Sequence, residues 1–405
     1  MSNTPPDRPV ANAGITDIAP YVGGKSKAKP GVRVVKLSSN ETPLGPSPAA
    51  LKAYLEAGAT LHRYPDGNAL ALREAIAEVQ KLPIDRLVCG AGSDELIAFL
   101  INAYTSPGDE VLYSQYGFLM YKIYAQAAGA TPVAAPAKDL ATDVDAIFAS
   151  VTPRTKIVFI ANPNNPTGSY LTKSEMQRLH AGLPAHVILA IDDAYSEYAA
   201  PSPSSLEGEG RGGGKPQAHL ERVATPPPNP LPQGEGEFAG DYSDGRELVA
   251  ASENTVMLRT FSKIHGLSAL RVGWAYGPAH IIDVINRIRG PFNISGPAIE
   301  AAAAAMRDTA FAEKARLFNQ QWLAWLSAEL TKLGLKIHPS IANFLLVEFP
   351  EGRHSAANAN IALMERGYIP REVAGYGLPQ CLRITIGLEE DNKAVVKMLS
   401  DFLKS

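Results

Sequence analysis

Three apolar runs, each stopping at residues that can do chemistry, set the main constraint on this chain. Thr155-Lys-Ile-Val-Phe-Ile-Ala161 breaks into Asn162-Pro-Asn-Asn-Pro-Thr-Gly168. His186-Val-Ile-Leu-Ala-Ile191 stops at Asp192, Asp193 and Tyr195. Thr255-Val-Met-Leu258 runs into Arg259-Thr-Phe-Ser-Lys263 and a glycine-punctuated turn. A strand with one wet face alternates apolar and polar residues. Runs without alternation read as strands covered on both faces, as in a parallel sheet between helices. Helical spacing at 69–80 and 174–181 supplies such helices. The expected fold is α/β with a mostly parallel central sheet. Open sheets of this kind bind ligands outside the C-terminal ends of their strands.

Lys263 is an odd residue for a strand end heading into a core. Burial lowers an amine's pKa because desolvation disfavours the charged form. A neutral amine is what a Schiff base with an aldehyde needs. Thr260 and Ser262 put hydroxyls beside it, and Arg271 follows eight residues later. An amine nucleophile next to a phosphate-sized anion site suits pyridoxal 5′-phosphate. The plain alternative is a surface lysine. Gly90 and Gly92 end another strand, and Ser93, Asp94 and Glu95 open an apolar helix. Free N–H groups at a helix start take phosphate; simple capping by Ser93 or Asp94 is the other reading. Glu95 stands where a dinucleotide fingerprint needs its third glycine, which excludes that fingerprint. Tyr116, at the end of the 109–114 strand, can stack on a flat ring or pack locally. One of the pair Asp192 and Asp193, if buried, needs a cationic partner. A protonated pyridine nitrogen would be one, and a helix cap is the alternative role.

Past residue 290 the pattern changes. Helices are expected over 296–319 and 322–334, strands over 335–339, 342–349, 368–371 and 380–387, and helices over 356–366 and 391–403. This reads as a smaller α+β domain. The division is an arm, or part of the small domain, at 1–40, a large domain at 41–288 and a small domain at 289–405. Arg371 and Arg383 lie on its strands, as inward charge awaiting an anion or as salt-bridge partners. Residues 201–240 are Pro-, Gly- and Ser-rich, with almost no large apolar side chains. They cannot bury enough surface to offset ordering entropy, so a disordered, outward-looping insertion is expected. A docking peptide is the other reading. Deleting 202–237 is expected to leave catalysis at the intact chain's level; a folded deletion variant without turnover would overturn that.

The remaining bulk properties exclude several classes. The net charge of −3 over 405 residues gives no footprint for nucleic acid. The two cysteines, Cys89 and Cys381, have no CxxC partner, and the eight histidines lack HxH or HExxH spacing, so no metal site is expected. No basic-then-apolar leader opens the sequence, and no apolar run approaches the ~18 residues of a membrane span. The expected location is the cytoplasm.

Asn165-Pro-Thr-Gly168, Asp192-x-Ala-Tyr195 and Ser262-Lys263 with Arg271 resemble, in order and spacing, the fold-type-I PLP-dependent aminotransferases of class I/II. The resemblance spans nearly the whole chain outside 201–240. More narrowly, the chain resembles the histidinol-phosphate aminotransferase branch in Pro20-Tyr21, Ser38-Ser-Asn-Glu41, Arg63-Tyr-Pro-Asp66, Gly92-Ser-Asp-Glu95, Thr260–Leu267 and Leu382–Gly387. The resemblance implies that Lys263 carries the cofactor as a Schiff base and shuttles the proton. Asp192 would pair with the pyridine nitrogen, and Tyr195 and Asn165 with the ring oxygen, while Tyr116 would stack on the ring. Ser93, Asp94 and Glu95, with Thr260, Ser262 and Arg271, would hold the phosphate. Tyr64 would reach that phosphate from the other subunit of a homodimer. Tyr21, Arg371 and Arg383 would bind the substrate's anions. Asp193, often Glu in the family, is given no catalytic role. The implied reaction converts L-histidinol phosphate and 2-oxoglutarate to imidazole-acetol phosphate and glutamate. An aromatic or broad-range aminotransferase and a threonine-phosphate decarboxylase-like lyase are the alternatives. A PLP-binding regulator would need a DNA-binding module that the sequence lacks.

Overall fold

The computed structural model describes residues 11, 12, 14–20, 23, 31–199 and 241–405. Tyr21 and the 201–240 insertion lie outside them. Seven strands form the main sheet: β1 (Leu87–Gly90), β2 (Glu110–Ser114), β3 (Thr131–Ala135), β4 (Thr155–Ala161), β5 (Ile188–Asp192), β6 (Thr255–Thr260) and β7 (Gly273–Tyr276). Their spatial order is β1-β7-β6-β5-β4-β2-β3. Neighbours from β6 to β3 are parallel. β7 runs antiparallel to both β6 and β1.

The uninterrupted apolar runs follow from helices on both faces. On β6, Met257 faces a layer containing Leu72 and Ala302, while Val256 and Leu258 face one containing Leu100 and Ile282. On β4 and β5, Val158, Ile160, Leu189 and Ile191 meet Met176 and Leu179 from a third cluster. β4, β5 and β6 are adjacent and parallel, so Asn165, Asp192 and Lys263 all follow the same edge of the sheet.

A second sheet is antiparallel: β8 (Lys336–His338), β9 (Phe344–Glu348), β10 (Arg371–Glu372) and β11 (Cys381–Thr385), ordered β8-β9-β11-β10. One face packs Leu345, Val347, Leu382 and Ile384 against Trp322, Leu326, Leu363 and Leu399. Val35 and Leu37 of the N-terminal arm join this core.

Two expectations differ from the structure. The helix break lies at Asp308, not near 320: the helices are Gly296–Arg307 and Thr309–Lys332. The Asp308 carboxylate accepts the Phe311 N–H at 3.1 Å and restarts the chain as an N-cap. Residues 368–371 do not form one strand. Tyr368–Ile369 pairs with Val35–Lys36 of the arm, and Arg371–Glu372 pairs with β11. Pro370 separates them, having no N–H for a ladder. The core of the main sheet also continues past residue 289, because Ala298–Met306 pack with Leu72, Ile76 and Trp274. Among the described residues, no helix is long and apolar enough to cross a membrane.

Candidate active site

A cleft of about 150 Å³ opens where the strand ends of the main sheet meet the second sheet. The main sheet contributes Asn165, Tyr195 and Lys263; the second sheet and its loop contribute Arg371, Tyr376 and Arg383; the arm contributes Ser38–Asn40.

Lys263 lies just past the end of β6. Its Nζ donates to the Ser39 carbonyl at 3.1 Å and sits 5.5 Å from the Tyr195 ring centre. Burial, then the nearby Arg383 and Arg271, lower its pKa to about 8, with Glu41 and Asp192 pulling the other way. An ordinary lysine would be almost wholly charged at neutral pH; this one holds a usable neutral fraction.

Asp192 is the last residue of β5 and is buried. Tyr121 donates its hydroxyl to Oδ2 at 2.7 Å, and the Ala194 N–H reaches Oδ1 at 3.3 Å. Burial raises its pKa, and those two hydrogen bonds pull it back down. Lys263 and Asp192 are close enough to shift one another's titration. Sequence reasoning missed Tyr121. It sits on the apolar face of helix Leu119–Ala127, stacked on Phe159 at 4.6 Å, and in sequence reads as core.

Asn40 was also missed as an individual residue. It has a positive φ of 56°, uncommon for a side chain with a Cβ. Its amide donates to the Tyr195 hydroxyl at 2.8 Å. Its Oδ1 accepts from Thr385 Oγ1 at 3.0 Å, and its N–H donates to that oxygen at 3.1 Å. One buried asparagine thus ties the arm to both sheets.

Arg383 on β11 donates to Asn165 Oδ1 and, at 2.6 Å, to the Ser38 carbonyl. Arg371 is its direct cross-strand partner. Two guanidinium groups from paired positions line one cleft, an arrangement suited to an anion with two or more oxygens.

A second cradle lies at the start of helix Ser93–Tyr104. Asp94 accepts from Tyr124 and Glu95 from the Ala91 N–H and Asn293, so both carboxylates are turned to their neighbours. The first-turn N–H groups have no side-chain cap. Arg271 closes over this start. A Cβ on Gly92 would stand 2.5 Å from an Arg271 guanidinium nitrogen, and one on Gly273 would stand 2.2 Å from the Ser93 nitrogen. Arg271 also donates to Ser262 Oγ at 3.1 Å, and the Ser262 N–H donates to Thr260 Oγ1 at 3.1 Å. Helix start, guanidinium and two hydroxyls therefore meet at one place, a cationic, donor-rich cup.

Tyr116 is half-buried and packs with Leu346, Val373 and the cleft-lining Tyr376, and Phe118 also lines the cleft. Tyr64 is 84% exposed and stacks on Phe292 at 4.7 Å. Asp193 is buried behind the cleft, accepting the Gly245 N–H at 3.0 Å, near Arg259 and its partner Asp244.

The chain matches the family model "Aminotransferase class I and II" over residues 32–399. It is 49% identical over 398 residues to a histidinol-phosphate aminotransferase of Rhodopseudomonas palustris (strain BisB18), covering 98% of this chain and 99% of the relative. A histidinol-phosphate aminotransferase of Nitrobacter winogradskyi is 48% identical with the same coverage. Among solved structures, the histidinol-phosphate aminotransferase of Sinorhizobium meliloti in complex with pyridoxal-5′-phosphate superposes with a TM-score of 0.81 at 22% identity, over 98% of this chain and 99% of that one. A Thermus thermophilus aspartate aminotransferase gives a TM-score of 0.72 at 22% identity, over 92% of each chain. The structural likenesses speak to the fold, and the near-half identity along whole chains speaks to descent. This chain belongs to the class I and II aminotransferases.

Proposed function

We propose that this chain moves the amino group of L-histidinol phosphate to 2-oxoglutarate, giving imidazole-acetol phosphate and L-glutamate, a step of histidine biosynthesis. The observation that carries the reading is one cleft holding a lysine of lowered pKa beside two cross-strand-paired arginines. Relatives about half identical to this chain bear the name of that activity.

Pyridoxal 5′-phosphate fits the residues present. The helix start at Ser93, Asp94 and Glu95, with Thr260, Ser262 and Arg271, would hold its phosphate; Gly92 and Gly273 leave room for nothing larger than hydrogen there. Asp192 would meet the pyridine nitrogen, Asn165 and Tyr195 the ring oxygen, Tyr116 the ring face and Lys263 the aldehyde carbon. When bound, the cofactor supplies an electron sink for the carbanion left by loss of the substrate's α-proton.

The side chains do the rest. Lys263 Nζ, partly neutral at working pH, accepts the proton from the amine-bearing carbon. The hydroxyl of Tyr121 and the Ala194 N–H favour the ionised form of Asp192 and oppose the effect of its burial. Asn40 fixes the Tyr195 hydroxyl. Arg383 forks onto the phosphate of one substrate and the carboxylate of the other, with Arg371 and Tyr21 adding donors. One anion receptor can then serve both halves of a ping-pong cycle.

Arg383→Lys keeps the charge and loses the fork. kcat/KM for both substrates is expected to fall about 100-fold, as for a lost bidentate contact of about 3 kcal/mol. Equal kcat/KM in variant and parent would remove Arg383 from the receptor. The reaction itself is tested by mixing pure protein with 2-oxoglutarate and, separately, histidinol phosphate, phenylalanine or threonine phosphate. Glutamate from histidinol phosphate supports the reading. Glutamate from phenylalanine alone, or carbon dioxide from threonine phosphate, replaces it.

The same reading includes a cytoplasmic homodimer. Tyr64 stands out from the chain with Leu61 and Leu55, which are 70% and 66% exposed, as a side chain reaching into a second subunit's phosphate cup would. It also includes an arm at 1–40 that forms part of the small unit through Val35 and Leu37, a large unit from residue 41, and a small C-terminal unit that begins beyond Met306, because Ala298–Met306 pack in the large unit's core.

A further inference from the structure

We propose that the second sheet carries a binding site for a thiol-seeking divalent cation of the Zn²⁺ class, formed by His338, Glu348 and Cys381. The three residues come from three adjacent strands, β8, β9 and β11. Glu348 is the cross-strand partner of Lys336 on one side and of Cys381 on the other. His338 lies two residues from Lys336 along β8, so all project from one face of the sheet. That face is the one carrying Arg383: His338, Leu346 and Arg383 form one cross-strand row, and Lys336, Glu348 and Cys381 form the next.

The donor atoms are gathered already. Imidazole nitrogen, carboxylate oxygen and thiol sulfur all lie within 4.8 Å of one another. His338 Nε2 meets Glu348 Oε2 at 2.9 Å. A tetrahedral Zn²⁺ with bonds of about 2.0–2.3 Å sets its ligand atoms about 3.3–3.8 Å apart. The widest donor pair needs to close by at most about 1 Å and the His338–Glu348 pair to open by about 0.4 Å, within the range of side-chain torsions on a fixed sheet. Three protein ligands leave the fourth position to water. One nitrogen, one oxygen and one sulfur select Zn²⁺ or Cd²⁺ over Mg²⁺ and Ca²⁺, which prefer all-oxygen shells.

Access and competition are also readable. Cys381 is buried at the bottom, while the side chains of His338 and Glu348 are 14% and 30% exposed and form the entrance. Lys336 Nζ, 3.0 Å from Glu348 Oε2, is the competing cation. It is 68% exposed, and a surface ion pair of this kind is weak enough to yield. On coordination the thiol proton passes to solvent, and the carboxylate exchanges the ammonium for the metal. The ligands lie ten and 33 positions apart along the chain, so no spacing rule reveals them.

The full chain as purified, titrated with Cd²⁺, tests this. A thiolate–cadmium band should grow in the ultraviolet difference spectrum and saturate at one equivalent per chain, and equilibrium dialysis should find one Zn²⁺. Cys381→Ser should lose the band, while Cys89→Ser keeps it. His338→Ala should weaken binding by at least about tenfold, and Lys336→Ala should tighten it. No band in the parent protein overturns the site, and so does a band that survives Cys381→Ser. Should Cys381→Ser not fold, unchanged affinity in both His338→Ala and Lys336→Ala overturns it equally.

Discussion

Lys263→Ala is expected to lower kcat by about 10⁴-fold, the upper end of the range for a lost proton-transfer group. The other cationic groups lining the cleft, Arg371 and Arg383, are guanidinium groups, which offer no amine to take over. The phosphate cup is untouched, so the variant should still retain pyridoxal phosphate, without its covalent link to the chain. Glutamate production measures the first effect, and borohydride trapping followed by mass analysis of the 262–265 region measures the second. Wild-type turnover in the variant would end the assignment. The lysine also predicts a stability signature. Its folded pKa of about 8 lies below the value of 10.5 for a free lysine. Below pH 8 both folded and unfolded chains carry the proton, and the burial cost stands in full. Between pH 8 and 10.5 the unfolded chain still holds the proton that the folded chain has released, so stability rises with pH. Over that window the cofactor-free protein should gain up to about 3 kcal/mol, at about 1.4 kcal/mol per pH unit. Lys263→Met, which leaves a smaller cavity than Ala, should not show this gain in urea unfolding at pH 7 and pH 10.

What could be read from sequence was whatever is local. β4, β5 and β6 announced themselves because both faces are covered, and each run's end marked Asn165, Asp192 or Lys263. The helix start after Gly92 was legible for the same reason. Asn40 was not, because its partners on Thr385 lie 345 positions away and only the assembled fold demands its left-handed backbone. Tyr121 was hidden by good packing: one hydroxyl aimed at Asp192 does not alter an apolar helical face. The break at Asp308 was missed because a single capping carboxylate interrupts two long helix-forming stretches. His338, Glu348 and Cys381 meet only through strand register. Tyr64 was singled out by its motif alone, and its exposure in one chain follows if its target belongs to another.

Asp192→Asn should lower kcat by about 10²–10⁴-fold while changing the KM for the amine little. The substitution preserves size, and the amide can accept from the Ala194 N–H while its NH2 donates to the Tyr121 hydroxyl oxygen, so packing is nearly constant and the negative charge is lost with one acceptor. That charge is the feature the fold maintains at a cost. Burial pushes the Asp192 carboxyl above its ordinary pKa, so the unfolded chain ionises first as pH rises. The cost is fully present above the folded pKa and is relieved as pH falls through it. The cofactor-free Asn variant should therefore melt above the parent protein at pH 7, with the difference shrinking toward acid. Higher stability with lost turnover separates a catalytic charge from a structural one, because a structural carboxylate would lose both together. Tyr121→Phe gives the graded control: removing one charge-assisted hydrogen bond should reduce kcat about 10–100-fold. If Asp192→Asn kept near-parental kcat, the carboxylate would have no electronic role, and Tyr121 would be holding an ordinary buried acid.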